Sequence, residues 1–127
     1  MSNNSKPVVL IVEDEAIFRV VFTGVLKGNG YTVHEAINGE EGLELAKSVK
    51  PEVILLDLVL PKLNGFEVLK VLKQNKDTSN IPVIVLSVLG EEDKMQMAFS
   101  LGANDYMIKG DKSPKAVIDK IEMLMKR

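Results

Sequence analysis

The sequence contains no cysteine. That excludes a disulfide framework, a thiolate metal site and a cysteine nucleophile, and it leaves a small domain to rely on its hydrophobic core. An excess of either charge is also missing. Sixteen Lys and Arg stand against 18 Asp and Glu, a net charge of −2, with His34 the single histidine. A near-neutral chain offers no electrostatic case for nucleic acid. Long apolar runs are absent too: residues 53–56 and 83–86 are among the longest, far below the ~20 residues that cross a bilayer. The first six residues are polar and do not resemble a signal peptide. These features predict a cytoplasmic protein with no membrane insertion, for which the sequon at Asn3 carries no meaning. There is no internal repeat or low-complexity stretch.

What is present is ordinary for a folded domain. The chain has 127 residues, 46% apolar and 27% charged, enough for one core and too few for two. Five short apolar runs rich in β-branched residues, at 8–12, 31–35, 53–56, 81–86 and 106–108, read as strands. The first, third and fourth are continuously apolar, as in parallel strands covered on both faces, whereas 31–35 alternates like a strand nearer an edge. Helical periodicity fills the gaps. Ile17, Phe18, Val21, Val25 and Leu26 share one face before Gly28-Asn29-Gly30 stops the helix, and Gly24 within it reads as a site of close packing. Residues 40–48, 66–74 (with Phe66, Leu69, Val71 and Leu72 as its apolar set), 91–101 and 114–125 supply four more helices, the last opened by Ser113-Pro114. Five βα units with short, right-handed connections predict an α/β fold: a doubly wound, five-stranded parallel sheet, flavodoxin-like, in strand order 2-1-3-4-5.

In such sheets ligands bind beyond the carboxyl ends of the strands. The first strand runs into Glu13-Asp14-Glu15, the third into Asp57, the fourth into Ser87 and the fifth into Lys109. Adjacent strands lie ~4.8 Å apart, so acids ending the first and third would share a cation. Crowded carboxylates suit a hard, oxygen-loving ion, and Mg²⁺ fits a site with one or two carboxylates and room for a phosphate oxygen. With Lys109 as a point charge and Ser87 as a donor, the set predicts phosphoryl-transfer chemistry. Each residue also has a plain reading. Glu15 fits a helix N-cap, Lys109 alone would be a solvated lysine, and Ser87 alone a cap. Asp57 has no helix directly after it to cap. His34, with no second histidine, reads as solvated or hydrogen-bonded rather than as a metal ligand.

At these spacings the chain closely resembles a two-component response-regulator receiver domain, of stand-alone type. The resemblance rests on Glu13-Asp14, on the stretch from Leu56 through Asp57, Leu58, Val59 and Leu60 to Pro61 with Gly65 beyond it, on Ser87, and on the Gly102-Ala103-Asn104-Asp105-Tyr106 run ending at Lys109. It implies that Asp57 is the phosphoacceptor, taking the group from a histidine of a sensor histidine kinase or a histidine phosphotransfer protein. It implies a Mg²⁺ (or Mn²⁺) site formed by Asp14, Asp57 and the backbone carbonyl of Val59, with Glu13 acting mainly through a metal-bound water. Ser87 and Lys109 would grip phosphoryl oxygens, and Ser87 with Tyr106 would form the switch, the ring turning inward as Ser87 moves. A downstream target is expected to dock on the fourth helix, fifth strand and fifth helix. The receiver is expected over 8–125, after a flexible N-terminus at 1–7, with no output domain in this length and no enzymatic turnover beyond its own phosphorylation and slow autodephosphorylation.

Four positions depart from the family pattern. Lys109 is followed by Gly110, where the family usually has a proline after a cis bond; without proline a cis bond costs about 3 kcal/mol. Val59 and Val88 are apolar where neighbours influence water access, and Glu13 replaces the commoner Asp. Two rival readings stand beside this one: a phosphorylation-independent receiver-like binding module, folded alike, and a metal-dependent aspartyl-phosphate phosphatase. The latter wants a second acid two residues after Asp57, where Val59 stands.

Overall fold

The computed structural model describes residues 7–110 and 113–125. Along the chain run β1 (Val8–Val12), α1 (Ala16–Gly28), β2 (Thr32–Ala36), α2 (Gly39–Val49), β3 (Val53–Leu56), α3 (Gly65–Gln74), β4 (Val83–Ser87), α4 (Glu92–Ser100), β5 (Asp105–Ile108) and α5 (Pro114–Met125). All neighbouring strands pair in parallel, in the order β2-β1-β3-β4-β5. This is the flavodoxin-like sheet that the alternating pattern predicts. The expected flexible N-terminal segment lies, apart from Pro7, outside the described residues.

The two-residue period of the strands sorts their side chains into two cores. Val9, Ile11, Val53, Leu55, Ile84 and Leu86 pack with Phe22 and Leu26 of α1 and Val117, Ile118 and Ile121 of α5. Leu10, Val12, Ile54, Leu56, Val83 and Val85 face the other way, onto Ala46 of α2, Val68, Leu69 and Leu72 of α3, and Ala98 of α4. Burying each large aliphatic side chain contributes roughly 1.5–3 kcal/mol. A sheet covered on both faces therefore holds its strand ends in fixed register, and those ends carry the polar residues.

Local signals set the element ends. Asn38 Oδ1 accepts from Glu41 N (2.9 Å) at the start of α2, Asn64 Oδ1 from Glu67 N (3.1 Å) at α3, and Ser113 Oγ from Ala116 N (3.2 Å) at α5. Three expectations need correction. β4 begins at Val83 rather than at 81, because Ile81 N is committed to the turn carbonyl of Thr78 (3.0 Å) and Pro82 has no N–H. Val71 is not part of the buried face of α3, where Val68 takes its place. Gly24 is not a close-packing position either, since a Cβ built on it meets nothing within 4 Å.

Candidate functional site

Parallel pairing brings the ends of β1, β3, β4 and β5 to one edge of the sheet. Val12 pairs with Leu56, Leu56 with Val85, and Ser87 with Ile108. The next residues therefore emerge together. Asp57 N donates to Val12 O (3.1 Å) and Lys109 N to Ser87 O (2.8 Å), which carries the sheet pattern one step into the site.

Lys109 is the hub. Its Nζ lies 2.7 Å from Glu13 Oε1, 3.0 Å from Asp57 Oδ2 and 3.2 Å from Glu15 Oε1. The Lys109, Glu13 and Asp57 side chains are each only 4% exposed, so these charges interact with little screening. Asp57 Oδ1 accepts from Val59 N (3.2 Å), and Glu13 Oε2 accepts from Glu15 N (3.1 Å). Burial pushes the Glu13 carboxyl up to about 7; the Lys109 hydrogen bond opposes that shift and the Asp57 charge adds to it. For Lys109 burial works against the ammonium, but its hydrogen bonds to Glu13 and Asp57 outweigh that penalty and hold its pKa above the ordinary lysine value.

Asp14, Glu15, Asp57, Val59, Val88 and Lys109 line an open cleft. Oxygens of Glu13, Asp14 and Asp57 lie within 4.8 Å of one another. The donors are all carboxylates, two of them are buried, and Lys109 faces the group. That donor set fits a hard divalent cation such as Mg²⁺.

Ser87 and Tyr106 sit deeper. Ser87 is fully buried and is not among the cleft-lining residues; its Oγ accepts from Leu89 N (3.2 Å). Tyr106 is 7% exposed, its ring inward against the core of the α2, α3 and α4 side, and its hydroxyl donates to Leu89 O. Burial raises its phenol pKa. The Lys109–Gly110 peptide is trans, with Gly110 at φ +88°. Glu15 occupies the N-cap position of α1 but makes no side-chain cap bond, because its carboxylate turns to Lys109 instead. His34 sits in edge strand β2, away from the acid group.

Two residues at the site escaped the motif reading. Arg19 Nη1 donates to Glu13 O (2.9 Å) while its Nε pairs with Glu35 Oε1 (3.2 Å). With Glu13 N bound to Ala36 O (2.9 Å), the peptide of Glu13 is held from both sides. Phe18 places its ring 4.4 Å from Lys109 Nζ. Both lie about one helical turn beyond the acids, a spacing that marks the helix face above the strand ends.

A buried carboxylate between a lysine and two further acids, at the carboxyl edge of a 2-1-3-4-5 sheet, defines a receiver-type site. Residues 9–122 match the response regulator receiver domain family, and the chain belongs to that family, which serves two-component systems. It is 38% identical over 119 residues to the transcriptional regulatory protein SrrA of Staphylococcus aureus, a match covering 94% of this chain and 48% of SrrA. The chain thus spans about half the length of the curated relatives it matches. The receiver domain of the Francisella response regulator 1452 superposes with a TM-score of 0.88 at 30% identity, covering 96% of this chain and 98% of that one. A putative response regulator from Chloroflexus aurantiacus gives 0.90 at 28% identity, covering 97% and 100%. No helix among the described residues is long and apolar enough to cross a membrane.

Proposed function

We propose that Asp57 accepts a phosphoryl group from the phosphohistidine of a sensor histidine kinase or histidine phosphotransfer protein, in a reaction that depends on Mg²⁺ or Mn²⁺. The observation that carries this reading is Asp57 itself. Its carboxylate is buried, faces an open cleft, and is bound by Lys109 at 3.0 Å beside two further acids. In the reaction an Asp57 oxygen forms a bond to phosphorus as the P–N bond to the imidazole breaks. The bonding pair leaves with the imidazole nitrogen, which takes a proton from solvent. Lys109 neutralises the phosphoryl oxygens, and the Ser87 hydroxyl donates to one of them once the loop after β4 brings it forward.

Glu13, Asp14, Asp57 and the Val59 carbonyl would hold the metal ion, whose charge offsets repulsion between carboxylate and phosphoryl group. Arg19 holds the Glu13 backbone in place for that task. The aspartyl phosphate is labile, so the domain works as a timed switch, with no turnover beyond its own phosphorylation and slow autodephosphorylation. Output would pass through the face of α4, β5 and α5, where Met97 and Phe99 are exposed and Phe99 packs 6.5 Å from the Tyr106 ring. The cysteine-free sequence is consistent with a cytoplasmic setting.

The test is intact mass after incubation with acetyl phosphate and Mg²⁺, with and without chelator, for wild type and Asp57→Asn. The expected result is one Mg²⁺-dependent phosphoryl adduct on wild type alone. No adduct, or an equal adduct on the variant, overturns the assignment.

A further inference from the structure

Lys109 is a flexible side chain shared by three acids that pull it in different directions. Glu13 and Asp57 are buried, whereas the Glu15 side chain is 61% exposed. Hydrogen bonds alone do not decide among them, because an ammonium rotates freely and donates three ways. A fourth neighbour does not compete for its protons. The ring of Phe18 lies 4.4 Å from Nζ, and that ring is braced by a near-parallel stack on Phe22, with centroids 5.2 Å apart and planes 12° from parallel. Phe22 is 4% exposed and belongs to the core shared by α1 and α5, so the brace is fixed. Beyond Phe18 lies an apolar cavity lined by Ile17, Val21, Phe22, Gly110 and Pro114. At Gly110 a Cβ would meet nothing within 4 Å, so residue 110 brings no side chain into this cavity, of which Phe18 is itself a lining residue.

We propose that Phe18 is a positioning residue for phosphoryl acceptance: its braced π face holds the Lys109 ammonium over the acids and directed at Asp57. This rests on the phosphoacceptor reading above. An aromatic face attracts a cation without taking its protons, and the attraction strengthens where water is excluded, as around a lysine side chain 4% exposed. Removing the face frees Lys109 to follow Glu15 toward solvent, and Asp57 then loses its preorganised countercharge.

The experiment is the rate constant for phosphorylation by acetyl phosphate and Mg²⁺, a small donor that needs no docking surface, for wild type, Phe18→Leu and Phe18→Tyr. Urea unfolding and the NMR linewidth and shift of the Lys109 ammonium accompany each variant. The expected result is a slowing on the order of tenfold in Phe18→Leu, with a broadened or shifted ammonium signal, and near-wild-type rate and signal in Phe18→Tyr. Equal rates in wild type and Phe18→Leu would overturn the proposal and leave the phosphoacceptor reading standing. So would equal slowing in Leu and Tyr variants of matched stability, which would assign the effect to packing. If wild type itself takes no phosphoryl group, the phosphoacceptor reading fails first; an ammonium signal that is unchanged in Phe18→Leu then removes the positioning role as well.

Discussion

The hydroxyl of Tyr106 on β5 donates to the backbone carbonyl of Leu89 in the loop after β4. The amide of the same residue donates to Ser87 Oγ. Ser87 and Tyr106 therefore both hold Leu89, one at each end of its backbone. A Ser87 hydroxyl drawn toward Asp57 would give up the Leu89 amide, while the Tyr106 bond and the packing of Leu89 on the core would still hold this loop. The loop and the ring are coupled by two hydrogen bonds rather than by ring packing alone.

Tyr106→Phe removes one of these ties and leaves the Leu89 carbonyl without its donor. The expected cost is about 1 kcal/mol, with faster amide hydrogen exchange confined to the loop after β4. Asp57 should still accept a phosphoryl group, because Tyr106 is not among the residues lining the cleft. Unchanged exchange at Leu89 would show that the bond does not hold the loop.

The glycines of α1 and α3 make opposite predictions. A Cβ on Gly65 would lie 2.4 Å from the Asp57 carbonyl oxygen and 2.4 Å from Leu58 Cα, both backbone atoms that cannot step aside cheaply. Gly65→Ala should destabilise by about 1–3 kcal/mol and, by displacing the peptide after Asp57, slow phosphorylation. Gly24 is helical and open, so Gly24→Ala should stabilise by about 1 kcal/mol. Chemical denaturation of the two variants side by side decides this: a Gly65→Ala as stable as wild type would overturn the first reading, and a destabilised Gly24→Ala the second.

These cases show which parts of the molecule are legible in the sequence. The strands at 8–12 and 53–56 and the polar residue after each stand out because a buried parallel strand is uniformly apolar and its end is abrupt. Pro82 hides the true start of β4, since Ile81 is apolar enough to read as strand while its amide serves a turn. The partners of Lys109 are another matter. Glu15 lies 94 positions away and reads locally as a cap. No periodicity encodes how far a side chain reaches across a sheet edge, so the Glu15 pairing, the Phe18 ring and the Arg19 clamp appear only in three dimensions.

At the opposite edge of the sheet lies a cation held by neutral oxygens. Lys73 Nζ donates to Ile81 O (2.8 Å), Asn104 Oδ1 (3.2 Å) and Ser79 O (3.3 Å), tying the end of α3 to the entries of β4 and β5. Burial lowers its pKa below the ordinary value of 10.5. With a lowered folded-state pKa, the unfolded chain holds the extra proton in the window between the two values, so stability rises with pH there and is lost as pH falls through the folded value. Lys73→Met should cost about 1–3 kcal/mol by taking this donor from the Ile81 and Ser79 carbonyls, while Asn104 Oδ1 keeps the Val83 amide (2.9 Å). The gap between wild type and variant should widen as pH climbs toward 10.5. Urea melts across that range test it, and a narrowing gap would reverse the sign assigned to burial.

Val59 and Val88 form the apolar part of the cleft wall and are 51% and 61% exposed. Water that attacks an aspartyl phosphate must be held and oriented, and neither valine side chain offers it a hydrogen bond. The phosphorylated form of this chain is therefore expected to be long-lived for its family, provided Asp57 is the acceptor. Val59→Asn places an amide at the cleft with both a donor and an acceptor. Because residue 59 already stands in solvent, the exchange should leave stability within about 0.5 kcal/mol. One oriented water is worth a modest part of a barrier, so dephosphorylation should accelerate several-fold, about 1 kcal/mol. The measurement is decay of the phosphoryl adduct by intact mass after removal of the donor. An unchanged decay rate would mean that the wall at residue 59 does not govern water access, and the same substitution at Val88 would then locate the control on the β4 side of the cleft or remove it from both.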